Sequence, residues 1–158
     1  MVTFGYGAIG FADDFLKLTK RNTKGVSGRV RLLGEAAIGL IAALWMTHLM
    51  PHAIADGVAV PFLKNFLIPL GFMFPIFGLL VMMGSANAVN FTDGLDGLAT
   101  VPTMIAAAVF GLIAYLVGNR IFAGYLEIHF IPGVGELTVF LSALIGAGMG
   151  FLLSLIHI

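Results

Sequence analysis

The chain has 158 residues, 59% hydrophobic and 10% charged, with a formal net charge of zero and a mean hydropathy of +1.05. Soluble domains carry about 25% charged residues, so this composition excludes an ordinary soluble domain and points to an integral membrane protein. Without cysteine there is no disulfide framework and no thiolate ligand or nucleophile, and no nucleic-acid partner is expected.

Residues 1–12 are apolar but fall short of the roughly 20 residues that a crossing needs. They lack the charged start and small-residue cleavage site of a signal peptide, and are expected to be the tail of a spanning helix. A charged segment, 13–35, follows. Four apolar segments, near 32–50, 66–86, 98–118 and 137–156, are each long enough to cross. The second carries Pro69 and Pro75, tolerable where neighbouring helices re-satisfy the backbone. The third has Pro102 in its first turns, where proline is best accommodated. Gly146 and Gly150 form a small-xxx-small pair suited to close helix packing. The predicted fold is all-α: a polytopic membrane helix bundle of about four full transmembrane helices and the end of a fifth, in one partial domain.

Six of the eight Lys and Arg lie together: Lys17, Lys20, Arg21, Lys24, Arg29 and Arg31. By the positive-inside rule their segment, 13–35, is expected to be a cytoplasmic loop. Counting crossings then puts 87–97 inside as well, and loops 51–65 and 119–136 on the outer, periplasmic side. Within 119–136 a β-like run from Tyr125 to Ile131, followed by Pro132-Gly133-Val134-Gly135, predicts a short strand or hairpin at the outer surface.

Chemistry concentrates on the inner side. Asn87, Asn90, Asp93 and Asp96 recur every third residue in a polar island between two spans. Steps of three on a helix drift by about 60° each, so convergence requires the backbone to break. Asp93-Gly94 and Asp96-Gly97 permit that, because glycine accepts positive φ. A capped turn would explain a pair of such residues, and four in register beside a bilayer point to function. The second acidic pair, Asp13 and Asp14, stands i+4 and i+3 from Lys17, so either can meet it on one helix face. A solvated helix end would explain this pair alone; a second acidic cluster on the same side argues against that. The loop-like stretch Lys24 to Arg29 could set Lys24, Arg29 or Arg31 over an anion, although membrane orientation and headgroup attraction account for each cation singly. Carboxylates, amides and cations beside hydrocarbon suit Mg²⁺ and phosphate oxygens. Phosphoryl transfer is mostly positioning and charge neutralisation. An amphiphilic substrate with a phosphate headgroup and a nucleotide-like donor are therefore expected. The scattered histidines receive no catalytic role.

Gly10-Phe11-Ala12-Asp13-Asp14-Phe15-Leu16-Lys17 and Asn87 through Ala99 resemble two signature motifs of the polyprenyl-phosphate N-acetylhexosamine-1-phosphate transferase superfamily, glycosyltransferase family 4. The resemblance runs from about residue 1 to Leu152 and includes Thr23-Lys24-Gly25, Pro102-Thr103, Gly118-Asn119 and Gly135-Glu136-Leu137. Within the superfamily it is strongest to the branch that moves phospho-N-acetylmuramoyl-pentapeptide.

The resemblance implies transfer from UDP-MurNAc-pentapeptide to undecaprenyl phosphate, giving lipid I and UMP, with Mg²⁺ as cofactor. It implies a multi-pass protein of the bacterial inner membrane, surrounded by membrane lipids, with a homodimer as one form. Asp13 would be the base toward the lipid phosphate, Asp14 would support the metal and polyphosphate region, and Lys17 would bind phosphate. Asn87, Asn90, Asp93 and Asp96 would shape the nucleotide pocket, with Phe91 near the uridine. Lys24 and Arg31 count as substrate-binding cations, and the Arg31 position is often lysine in the family. Direct attack by the lipid phosphate and prior attack by an enzyme carboxylate both remain open.

The family is expected to continue past Leu152 into a metal-binding aspartate loop and a later histidine cluster. The principal Mg²⁺ ligand is expected there, with Asp14 or Asp93 as contributors. The end, residues 153–158, departs from the family pattern. On this reading the chain is the middle of a roughly ten-helix enzyme and inactive alone. Two alternatives are a sister enzyme that transfers GlcNAc-1-phosphate to the same lipid and, from another class, a transporter with acidic coupling sites near the bilayer midplane.

Overall fold

The computed structural model describes residues 1–20, 25–50, 54–60, 63, 66–95 and 97–156. The described elements are helices α1 (Val2–Lys20), α2 (Gly28–Leu49), α3 (Phe74–Thr92), α4 (Thr100–Gly118), α5 (Arg120–Leu126) and α6 (Leu137–Ile156), strands β1 (Gly57–Ala59) and β2 (Leu67–Pro69), and short 3-10 helices at Gly71–Met73 and Val134–Glu136. The four spans Gly28–Leu49, Gly71–Thr92, Thr100–Gly118 and Val134–Leu155 are long and apolar enough to cross a membrane. The chain is a multi-pass helical membrane protein.

It divides into two compact units, one of Met1–Val58 with Leu67–Ala86, the other of Ala59–Phe66 with Asn87–Ile158. In the first unit, α2 buries a stripe of Glu35, Gly39, Ala42 and Ala43, the i, i+4, i+7 spacing of one helix face. Apart from Glu35 the stripe is of small residues, so backbones approach closely, as helix packing in lipid requires. A Cβ on Gly39 would stand 3.0 Å from Leu79 Cδ1 and 3.2 Å from the Tyr6 hydroxyl. That hydroxyl donates to the Glu35 carbonyl at 3.0 Å and pins α1 to α2.

In the second unit, α4 buries Ala107, Gly111 and Ala114 against an antiparallel α6. Gly148 faces Met104, and Leu141 faces Gly111. The Thr138 hydroxyl donates to the Gly111 carbonyl at 3.1 Å, and Gly118 meets the backbone of Gly135. The expected Gly146/Gly150 contact is not made: a Cβ on either meets nothing within 4 Å among the described residues. Gly148, half a helical turn round, carries the close approach instead.

Three further expectations are corrected. The charged segment 13–35 is largely helical, because α1 runs on to Lys20 and α2 starts at Gly28. The second span's helix starts at Phe74, with Pro69 in β2 and Pro75 in the helix's first turn, where a missing N–H costs nothing. The run Tyr125–Ile131 is not a strand. The Asn119 carboxamide accepts from the Ile121 and Phe122 amides at 2.9 and 3.3 Å, which starts α5, and Glu127 closes it in the left-handed region at φ 53°. The strands lie instead at β1 and β2, where the Leu70 amide donates to the Asp56 carbonyl at 2.9 Å.

Candidate active site

Asp13 is the buried residue of α1. Its helical position turns it toward the loop that leads into α2, while Asp14, the next residue, points away with a side chain 75% exposed. Lys17 spans both. Its ammonium lies 2.6 Å from Asp13 Oδ2 and 3.3 Å from Asp14 Oδ1. The other Asp13 oxygen, Oδ1, accepts the Val26 amide at 2.7 Å. The Lys17 hydrogen bond holds the Asp13 carboxyl below its usual range. Burial opposes this, and the Val26 amide and the charges of Lys17 and Arg31 reinforce it. Lys17 is correspondingly raised, first by its bond to Asp13 and then by that to Asp14. The cluster is thus a fixed carboxylate and an exposed carboxylate sharing one cation.

Arg31 sits on α2 rather than in a loop, and its Nε donates to Glu35 Oε1 at 2.9 Å. Lys24 lies outside the described residues. Sequence reasoning placed Asp13, Asp14 and Lys17 together through their i+3 and i+4 spacing. It missed Val26, which acts through a backbone amide. It also missed Glu35, an acid i+4 from an arginine at the start of an apolar run, which was a readable signal.

In the second unit, the polar island is a helix end followed by turns. Asn87, Asn90 and Phe91 ride the last turns of α3, with Phe91 85% exposed. The helix stops at Thr92, whose hydroxyl turns back to the Ala88 carbonyl at 2.8 Å. Asp93 follows, exposed, with Oδ1 3.4 Å from the Ala99 amide just before α4. The chain then turns through Gly97 at φ 82°, where a Cβ would meet Leu155 of α6 at 2.8 Å. Asp96 lies outside the described residues. Beneath Asp93 is a cavity of about 330 Å³, lined by Thr100, Thr103, Met104 and Phe151 among others.

The described residues gather no three histidines or acids that could hold a metal. Mg²⁺ needs no such cage, because it binds through one or two carboxylates, waters and substrate phosphates. The exposed Asp14 and Asp93 each fit a single carboxylate ligand of that kind.

The model of a family described as glycosyl transferase family 4 matches residues 1–154. The chain is 66% identical over 152 residues to a phospho-N-acetylmuramoyl-pentapeptide-transferase of Granulibacter bethesdensis. It is 60% and 59% identical to proteins of the same name from Gluconacetobacter diazotrophicus and Gluconobacter oxydans. Each match covers 96% of this chain and 42% of the relative, so the chain spans less than half the length of the proteins it resembles.

Proposed function

Because the chain belongs to glycosyl transferase family 4, we propose that it forms part of an enzyme that moves phospho-N-acetylmuramoyl-pentapeptide from UDP-MurNAc-pentapeptide to undecaprenyl phosphate. The products are lipid I and UMP, and the step serves peptidoglycan synthesis. The observation that carries this reading is the sharing of Lys17 between a buried and an exposed carboxylate, in a chain similar to proteins named for that transfer. The enzyme is proposed to lie in the bacterial inner membrane. The cationic segment from Lys17 to Arg31 supports a cytoplasmic site.

In this reaction an oxygen of the lipid phosphate attacks the phosphorus attached to the muramoyl sugar. The bond from that phosphorus to the bridging oxygen breaks, and UMP leaves with the electron pair. Lys17 is the group that changes partners: it is 41% exposed, within reach of an incoming phosphate. When phosphate draws the ammonium away, Asp13 loses the contact that lowers its carboxyl most. Its proton affinity rises while the phosphate hydroxyl stands beside it. A base works best with a pKa near the operating pH, and this exchange moves Asp13 in that direction.

Asp14 or Asp93 would hold Mg²⁺ as one carboxylate ligand, and the ion would supply charge neutralisation on the pyrophosphate. Asn87, Asn90, Phe91, Asp93 and Asp96 are assigned to the nucleotide donor. Lys24 and Arg31 add positive charge for the phosphates.

The full-length protein, assayed with each donor in turn, tests the proposal. Lipid I is expected from UDP-MurNAc-pentapeptide and no product from UDP-GlcNAc. Transfer from UDP-GlcNAc alone would overturn the reading in favour of the sister activity. Asp13→Asn should abolish lipid I formation and leave membrane insertion unchanged.

A further inference from the structure

We infer that Gly25 is a positioning residue for Asp13: the empty space at its Cα is what allows the loop before α2 to seat the Val26 amide on the Asp13 carboxylate. This inference rests on the proposed function for its activity readout and on geometry for the rest.

A Cβ built on Gly25 overlaps Asp13 Oδ1, and it stands 2.8 Å from Asp13 Cγ and 3.0 Å from Lys17 Cε. The carboxylate that it strikes is short and held at both ends. Oδ1 accepts the Val26 amide at 2.7 Å, and Oδ2 contacts the Lys17 ammonium at 2.6 Å. Asp13 has two side-chain torsions, so it cannot swing clear of a methyl group without giving up one of these partners. Backbone conformation does not explain the glycine. The glycines of positive φ are Gly71, Gly97 and Gly133, and Gly25 is not among them. Its requirement is space alone. Gly28, three residues on, supplies the contrast, because a Cβ there meets nothing within 4 Å.

Gly25 touches no reacting atom in this scheme. It fixes where the Asp13 carboxylate points, and with it the geometry in which Lys17 is shared with Asp14. Displacing a positioned group by about 1 Å can cost about 100-fold in rate. The donor is assigned to other residues, so donor binding should survive the change.

The test uses Gly25→Ala and Gly28→Ala in the full-length protein. Turnover is normalised to the number of sites that bind UDP-MurNAc-pentapeptide, and hydrogen exchange is followed at the Val26 amide. Gly25→Ala is expected to lower turnover per site about 100-fold, with the donor Kd within about twofold of wild type. The Val26 amide should exchange at least about tenfold faster once its acceptor is lost. Gly28→Ala should match wild type in all three measurements. Wild-type turnover and Val26 protection in Gly25→Ala would overturn the inference. Equal loss of turnover and of donor sites would also overturn it, since that is general unfolding. If the wild-type protein transfers nothing from the muramoyl donor, the functional reading alone fails, and Val26 exchange in the two variants still decides the role of Gly25.

Discussion

Glu35 accepts from Arg31 Nε at 2.9 Å, one turn along α2, with a carboxylate 3% exposed. The Tyr6 hydroxyl reaches the carbonyl of the same glutamate, so the pair sits where α1 meets α2. Breaking a buried ion pair leaves a charge without its partner in a low dielectric, which is worse than replacing both members. Glu35→Ala should destabilise by about 3 kcal/mol, seen as a lower melting temperature in detergent. Glu35→Leu combined with Arg31→Leu should cost less than either single change. Strict additivity in that cycle would show that the two residues are not coupled.

The Asp13 and Lys17 contacts predict a pH window. Asp13 is lowered from 3.8 in the folded chain, so its contribution is complete above that value and is lost as pH falls through the lowered one. Lys17 is raised from 10.5, so its contribution is complete below that value and is lost as pH rises through the raised one. Val26 amide protection should therefore be flat across neutral pH and decline at the acid end. Asp13→Asn should remove the acid decline. An acid limb that persists in that variant would assign it to another group.

What the sequence made legible was local. The spacing of Asp13 and Lys17 determines that they can meet, and Asp93-Gly94 marks where α3 stops, because both depend on residues within one turn. The four spans were legible from the lengths of the apolar runs. The Val26 contact to Asp13 was not, since it joins positions 13 residues apart through a backbone amide that leaves no mark in residue type. Asn119 decided the fate of the 125–131 run from outside it, by capping α5. The choice of Gly148 over Gly146 and Gly150 depends on which face α4 covers, and no pattern within α6 encodes that.

That choice gives a graded packing prediction. A methyl group at Gly118 would run into the backbone of Gly135, 2.7 Å from its Cα, and a backbone pinned at a helix junction cannot yield. Gly118→Ala should cost about 3 kcal/mol, the upper end for overpacking. At Gly148 the obstacle is Met104 Cγ and Sδ at 2.8 Å, a flexible side chain that can move. Gly148→Ala should cost about 1 kcal/mol. Gly146→Ala should be neutral or slightly stabilising, since alanine favours helix by up to about 1 kcal/mol. Melting temperatures of the three variants test the order, and a Gly146→Ala variant less stable than Gly118→Ala would contradict it.

Asp93 carries a charge and also accepts from the Ala99 amide at 3.4 Å, next to the start of α4. The two roles separate by substitution. Asn keeps an oxygen that can accept from that amide, whereas Ala removes both the oxygen and the charge. At that length the contact is weak, so Asp93→Ala should destabilise the fold by no more than about 1 kcal/mol beyond Asp93→Asn. If the carboxylate serves the donor or its metal, both variants should lose lipid I formation together, by roughly 100-fold or more. Measuring turnover beside melting temperature distinguishes the cases. Near-normal turnover in Asp93→Asn, with loss only in Asp93→Ala, would reduce Asp93 to a structural acceptor at the entrance to α4 and leave the donor to other residues.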